Sequence, residues 1–202
     1  MKLRTAALLL AGALALTGCS KVGDTGSQNY ISGEGQVTFV DPADRGDAIE
    51  LAGEGLDGEP VDVADWRGRV VVVNVWGSWC PPCRAEQDEL VEAAEKTAGT
   101  AEFVGVNIRD TSVENARAFV RNYDVEYPSI YSPDSRALLA FSGTLTPYSV
   151  PSTVILDAEG RVAASILGRI PSVLTLTDLV EDVAGKDGGK DGGQDGDTAQ
   201  DG

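Results

Sequence analysis

The chain has 202 residues, 42% of them apolar, enough for one globular domain with appendages or at most two small domains. With 32 acidic residues against 16 basic ones, its net charge of −16 argues against nucleic acid and against adhesion to anionic lipid by surface charge. There is no histidine, and Met1 is the one methionine, so Ser-His-Asp and Cys-His hydrolases are excluded, metal ligands are scarce, and no metal or other cofactor is expected.

Lys2 and Arg4 precede an apolar run from Ala6 to Leu16. A bilayer span needs roughly 20 residues, so this shorter run reads as a secretory leader, residues 1–18. Leu16-Thr17-Gly18-Cys19-Ser20 resembles the lipobox of bacterial lipoproteins, which implies lipidation of Cys19 as the first mature residue. The plainer alternative is a signal peptide with an incidental cysteine after the cut. Residues 19–44 are polar and glycine-rich. They read as a flexible tether spanning on the order of 25–30 Å, with a short strand at Val37 to Val40. Such a tether keeps the following domain near the membrane surface.

The domain proper is expected over residues 45–184. Ala48 to Leu51 reads as a strand, followed by turns at Leu56-Asp57-Gly58-Glu59 and at Asp65 to Arg69. Val70 to Trp76 is β-branched and continuously apolar except for Asn74, which suits a central strand buried on both faces. Ala85 to Thr97 has helical periodicity, with Leu90, Ala93, Ala94 and Thr97 inward and Glu86, Glu89, Glu92 and Glu95 outward. Glu102 to Ile108 reads as a second buried strand. Ser112 is a candidate N-cap for a helix over Val113 to Tyr123.

Asp134 to Phe141 reads as a further helical stretch. Thr153 to Leu156 and Arg161 to Leu167 form a hairpin about Asp157-Ala158-Glu159-Gly160, and Ser172 to Ala184 is the last helix. This order gives an α/β fold with a central mixed β-sheet and helices on both faces. Residues 185–202 are a glycine, aspartate and lysine tail without an apolar cluster, expected to be disordered.

With Cys19 assigned to lipid, Cys80 and Cys83 remain, at the junction of the buried strand and the first helix. A structural disulfide ordinarily closes a longer loop, so a close pair in an exported chain reads as a redox-active dithiol. The run Val73-Asn74-Val75-Trp76-Gly77-Ser78-Trp79-Cys80-Pro81-Pro82-Cys83-Arg84-Ala85-Glu86 resembles the signature of the TlpA/ResA-like branch of thioredoxin-fold oxidoreductases. Val150-Pro151-Ser152-Thr153 stands where that family has its cis-proline loop. The hairpin turn and Gly168 also match. The resemblance implies a thioredoxin fold with an N-terminal β extension.

On that resemblance, Cys80 takes the place of the attacking cysteine and Cys83 that of the resolving one, with Pro151 as the cis-proline. Val150 pairs its backbone with a substrate segment, and Trp79 shapes the docking surface. Asn74 stands where thioredoxin has a buried aspartate and reads as an amide that hydrogen-bonds locally. Trp66 and Trp76 read as core. Glu86 has two readings, proton acceptor for Cys83 or a first-turn glutamate that merely suits the helix dipole.

The implied activity is extracytoplasmic, membrane-tethered thiol:disulfide exchange. The expected direction is reduction of an exported protein's disulfide, such as that of apocytochrome c, with a membrane thiol-reductant electron donor as the second partner. A disulfide-forming oxidant is the first alternative. A copper-handling lipoprotein is disfavoured by the missing histidines and mature methionines. A peroxiredoxin-like peroxidase is disfavoured because no Pro-x3-Thr-x2-Cys pattern occurs.

Overall fold

A run of β-branched residues with no polar face has to be covered on both sides, and the strand Val70–Trp76 is buried along its whole length. The computed structural model describes residues 30–32 and 35–188. The leader, Cys19 and the end of the tail lie outside the described residues.

The strands are β1 (Tyr30–Ser32), β2 (Gly35–Phe39), β3 (Ala52–Glu54), β4 (Pro60–Asp62), β5 (Val70–Trp76), β6 (Ala101–Ile108), β7 (Ser129–Ser132), β8 (Ser152–Leu156) and β9 (Val162–Gly168). The helices are α1 (Pro81–Lys96), α2 (Val113–Asn122) and α3 (Val173–Gly188), with 3-10 turns at Val63–Trp66 and Arg136–Phe141. Seven strands form one mixed sheet in the order β1-β2-β9-β8-β5-β6-β7, and β3 and β4 pair as a separate ribbon. Strands β5, β6 and β7 run parallel, while β8 lies antiparallel to β5, and β9 antiparallel to β8.

Alternation along β5 divides the core. Val70 and Val72 face a cluster built with Leu90 and Ala93 of α1 and Leu176, Val180 and Val183 of α3. Val71, Val73 and Val75 face a second cluster with Val61, Val63, Leu138 and Phe141, from the β3–β4 ribbon and the two 3-10 turns. Helix α2 packs through Ala116 and Phe119 around Trp76, whose ring stacks on Phe119 at 4.5 Å between centroids.

Topology then gathers the chemistry. The pairing of Val75 with Ser152 and of Trp76 with Asn107 brings three loops to one end of the sheet. These are the loop into α1, the loop after β6 and the loop before β8.

Several elements depart from expectation. The short strand expected at Val37 to Val40 forms as Gly35–Phe39 and is not isolated: it pairs with β9 from Gly35–Gly168 to Phe39–Ala164 and covers an otherwise open strand edge. Ala48 to Leu51 does not form a strand. Ile49 and Leu51 are buried apolar anchors, and the ladder starts only at Ala52. The stretch after Ser132-Pro133 is a 3-10 turn. The strand β7 was not expected, and α3 continues to Gly188, beyond the expected start of the tail. Glu86, expected on the outer face of α1, is fully buried, as is Gln87 at 2% exposure. It sits one turn beyond Cys83 on the stripe that continues to Leu90 and Ala93 and packs against the body of the domain.

Candidate active site

The site is built on the first turn of α1. Prolines at the first two helical positions cost no hydrogen bond, since those N–H groups have no intrahelical acceptor. Cys80 is the N-cap in extended conformation, and its Sγ accepts the Cys83 N–H at 3.2 Å. A sulfur held on a helix N-terminal amide is stabilised as thiolate. Cys80 and Cys83 are joined by a disulfide with their Cα atoms 5.3 Å apart, and both are buried, at 2% and 0% exposure. The Arg84 N–H, a second candidate donor to the sulfur, goes instead to the Cys80 carbonyl at 3.3 Å.

Glu86 lies one turn on. Its Oε2 accepts the Ile170 N–H at 3.0 Å and its Oε1 accepts Asn74 Nδ2 at 3.3 Å. Burial raises its pKa from the ordinary 4.5 to about 7, against the opposing pull of the Ile170 and Asn74 hydrogen bonds and the Arg169 charge. Asn74 is expected to hydrogen-bond locally, but its partners lie far along the chain. Its amide also donates to the Ser152 carbonyl and Thr153 Oγ1, so it links β5 to β8 and to α1.

The Val150–Pro151 peptide is cis, and the Pro151 carbonyl accepts the Gly168 N–H at 3.0 Å. The Val150 N–H donates to the Tyr148 carbonyl at 2.9 Å within its own loop. Val150 packs with Trp76, Cys80 and Cys83, so sequence positions far apart meet here. Trp79 is 40% exposed, and Tyr148 of the Val150 loop is 82% exposed. Trp66, expected as core, is only partly buried.

Residues that sequence reasoning missed sit in the loop after β6. Asp110 accepts from the Ser78 N–H and hydroxyl and from Asn107, and Arg84 donates twice to the Ser78 carbonyl. The only available signal was position: Asn107, Arg109 and Asp110 stand at the carboxyl end of a parallel strand, where α/β sheets place their sites. Among the described residues no group of three or more His, Cys, Asp and Glu is placed to hold a metal. A cavity of about 770 Å³ lies at the far end of α1, against Val91, Ala94, Phe103 and Tyr127, and includes neither cysteine.

This mixed sheet, with a disulfide-bonded cysteine pair at the head of α1 and Val150 of the cis Val150–Pro151 peptide packed against the same cluster, defines a thioredoxin-fold protein. The chain belongs to the Redoxin family, whose profile matches residues 41–182. It is 36% identical over 122 residues to the thiol:disulfide interchange protein DsbE of Allochromatium vinosum, covering 60% of this chain and 64% of that protein. It is 28% identical over 124 residues to the thiol-disulfide oxidoreductase ResA of Bacillus subtilis, covering 60% and 66%. The chain thus spans just under two thirds of the length of these curated relatives. Among solved structures, it matches a DsbF homologue from Corynebacterium diphtheriae with 35% identity and a TM-score of 0.69, covering 78% of this chain and 99% of that one. A secreted thiol-disulfide isomerase from Corynebacterium glutamicum matches with 31% identity and a TM-score of 0.69, covering 79% and 99%.

Proposed function

We propose that this protein is an extracytoplasmic thiol:disulfide oxidoreductase acting through Cys80 and Cys83. The observation that carries the reading is the Cys80 sulfur held as N-cap of α1 on the Cys83 N–H, beside Val150 of the cis Val150–Pro151 peptide. The Cys80 thiolate attacks a partner disulfide, forming a mixed disulfide and releasing one partner thiolate. The Cys83 thiolate then attacks Cys80 Sγ, closing the Cys80–Cys83 disulfide and releasing the second partner thiolate. The partner gains two electrons and the protein loses two.

Cys83 has to shed its proton before the second step. Glu86 sits one turn away with a pKa near 7 and is part-ionised at neutral pH, which suits it as the acceptor. Trp79 and the Val150 carbonyl receive the substrate segment. The resemblance of the run Val73 to Glu86 to the TlpA/ResA-like branch supports the reducing direction, toward exported disulfides such as those of apocytochrome c. A membrane thiol donor recharges the pair. The leader and Cys19 supply the anchor that holds the domain at the outer face of the membrane. Among the described residues no helix is long and apolar enough to cross one.

The test is reduction of a peptide carrying an oxidised Cys-x-x-Cys-His haem-attachment motif. The reduced protein is expected to open it stoichiometrically. Cys80→Ser abolishes the reaction, and Cys83→Ser accumulates the mixed disulfide, seen by mass spectrometry. Unaltered reduction by Cys80→Ser would overturn the assignment.

A further inference from the structure

The segment leading into Cys80 is held from three directions. Ser78 donates its N–H to Asp110 Oδ2 at 2.9 Å and its hydroxyl to Asp110 Oδ1. Asn107 Nδ2, from the end of β6, donates to the same Oδ2 at 2.6 Å. From the other side, Arg84 Nε and Nη2 donate to the Ser78 carbonyl at 3.0 and 2.7 Å. Trp79 Nε1 donates to the Ile108 carbonyl at 3.1 Å, with the Arg109 guanidinium 4.5 Å from the ring centroid. Gly77 makes room for this fold-back, since a Cβ there would lie 2.5 Å from Trp79 Nε1.

Asp110 is 5% exposed, and a buried carboxylate is costly unless its oxygens are bonded. The three hydrogen bonds it accepts tie it to Ser78, two residues before Cys80, and to Asn107, which fixes it to the sheet. We propose that Asp110 is a positioning residue for the attacking cysteine: by clamping Ser78 it keeps Cys80 at the N-cap of α1, with Sγ on the Cys83 N–H. The proposal rests on the exchange role of Cys80 given above.

Two effects of Asp110 on the Cys80 thiol have opposite signs. As a bare negative charge it raises the thiol pKa; as the anchor that keeps the sulfur on an N–H donor it lowers it. The charged groups around the segment are Arg84 and Glu86 of α1, Arg109 and Asp110 after β6, and Arg169 after β9, which donates to the Ala85 carbonyl at 3.4 Å. Arg84 and Arg109 bracket the loop that Asp110 holds and offset its charge. The anchoring effect therefore prevails.

The experiment is alkylation of Cys80 against pH in the fully reduced full-length chain, with the labelled cysteine identified by mass spectrometry. Asp110→Ala is expected to raise the Cys80 thiol pKa by about one pH unit, the worth of one hydrogen bond to a charged sulfur. Asp110→Asn keeps one carbonyl oxygen for Ser78 and restores a value close to wild type. Ser78→Ala, which leaves the backbone bond to Asp110, raises the pKa by less than Asp110→Ala. An unchanged or lowered pKa in Asp110→Ala overturns the proposal. Should that variant fail to fold, an unchanged Ser78→Ala together with a lowered Asp110→Asn overturns it instead. Absence of disulfide exchange by the wild-type chain would remove the proposed function and leave this comparison standing.

Discussion

Replacing Glu86 by glutamine removes a buried charge while keeping the shape of the side chain. Burial lifts the Glu86 pKa from 4.5 to about 7, so between those values the folded protein holds a proton that the unfolded chain has released. The associated stability is complete below pH 4.5 and is lost as pH rises through 7. Integrated over that interval it amounts to about 3 kcal/mol, a large part of a small domain's net stability. The glutamine has its own constant offset. It retains an acceptor for the Ile170 N–H, and Asn74 Oδ1, which has no hydrogen-bond partner among the described residues, can turn to accept its amide. That offset does not vary with pH.

Chemical denaturation of the oxidised protein at pH 4.5 and pH 8 measures the difference directly. Wild type is expected to lose about 3 kcal/mol relative to Glu86→Gln between the two pH values. A stability difference that does not change with pH would refute the claim that Glu86 is ionised at a desolvation cost. In stopped-flow exchange, the same variant should release the reduced partner on the order of a hundredfold more slowly at pH 7. Unchanged release would return Glu86 to a purely structural role.

Asp157→Ala removes the carboxylate that pairs with Arg45 at 3.0 Å and Arg161 at 2.7 Å; the Arg45 and Asp157 side chains are fully buried. It should cost about 3–5 kcal/mol in denaturant unfolding, and a loss below 1 kcal/mol would show that the pair is not desolvated. Gly160→Ala and Gly58→Ala form a matched pair, since both glycines have positive φ, 84° and 95°. Gly58 has open space around it, and its substitution should cost about 1 kcal/mol. A Cβ at Gly160 would fall 1.8 Å from Arg67 Nη1, so thermal unfolding should show a distinctly larger loss there.

Much of this fold was legible because some segments admit one environment. Val70 to Val75 could only be a strand covered on both faces, and the Cys80-Pro81-Pro82-Cys83 turn could only begin a helix. The strand β7 escaped notice because Ser129-Ile130-Tyr131-Ser132 carries one fully buried apolar side chain and is defined by its parallel pairing with β6. Residues 35–39 looked like part of a tether because their order comes from the β9 edge, more than a hundred positions away. Glu86 looked solvent-facing by composition, yet the helical stripe from Cys83 to Leu90 runs directly through it. Asp110 carried no local pattern, because its partner Ser78 lies 32 residues earlier and only the sheet joins them.

The reduction potential of the Cys80–Cys83 pair bears most directly on the central claim, that this cysteine pair delivers electrons to exported disulfides. Equilibration of the full-length chain against thiol–disulfide buffers, with the oxidised fraction read from alkylated mass, gives that value. A potential near that of thioredoxin, about −270 mV, is predicted; one near that of DsbA, about −120 mV, would contradict a reducing role and make the pair a disulfide donor.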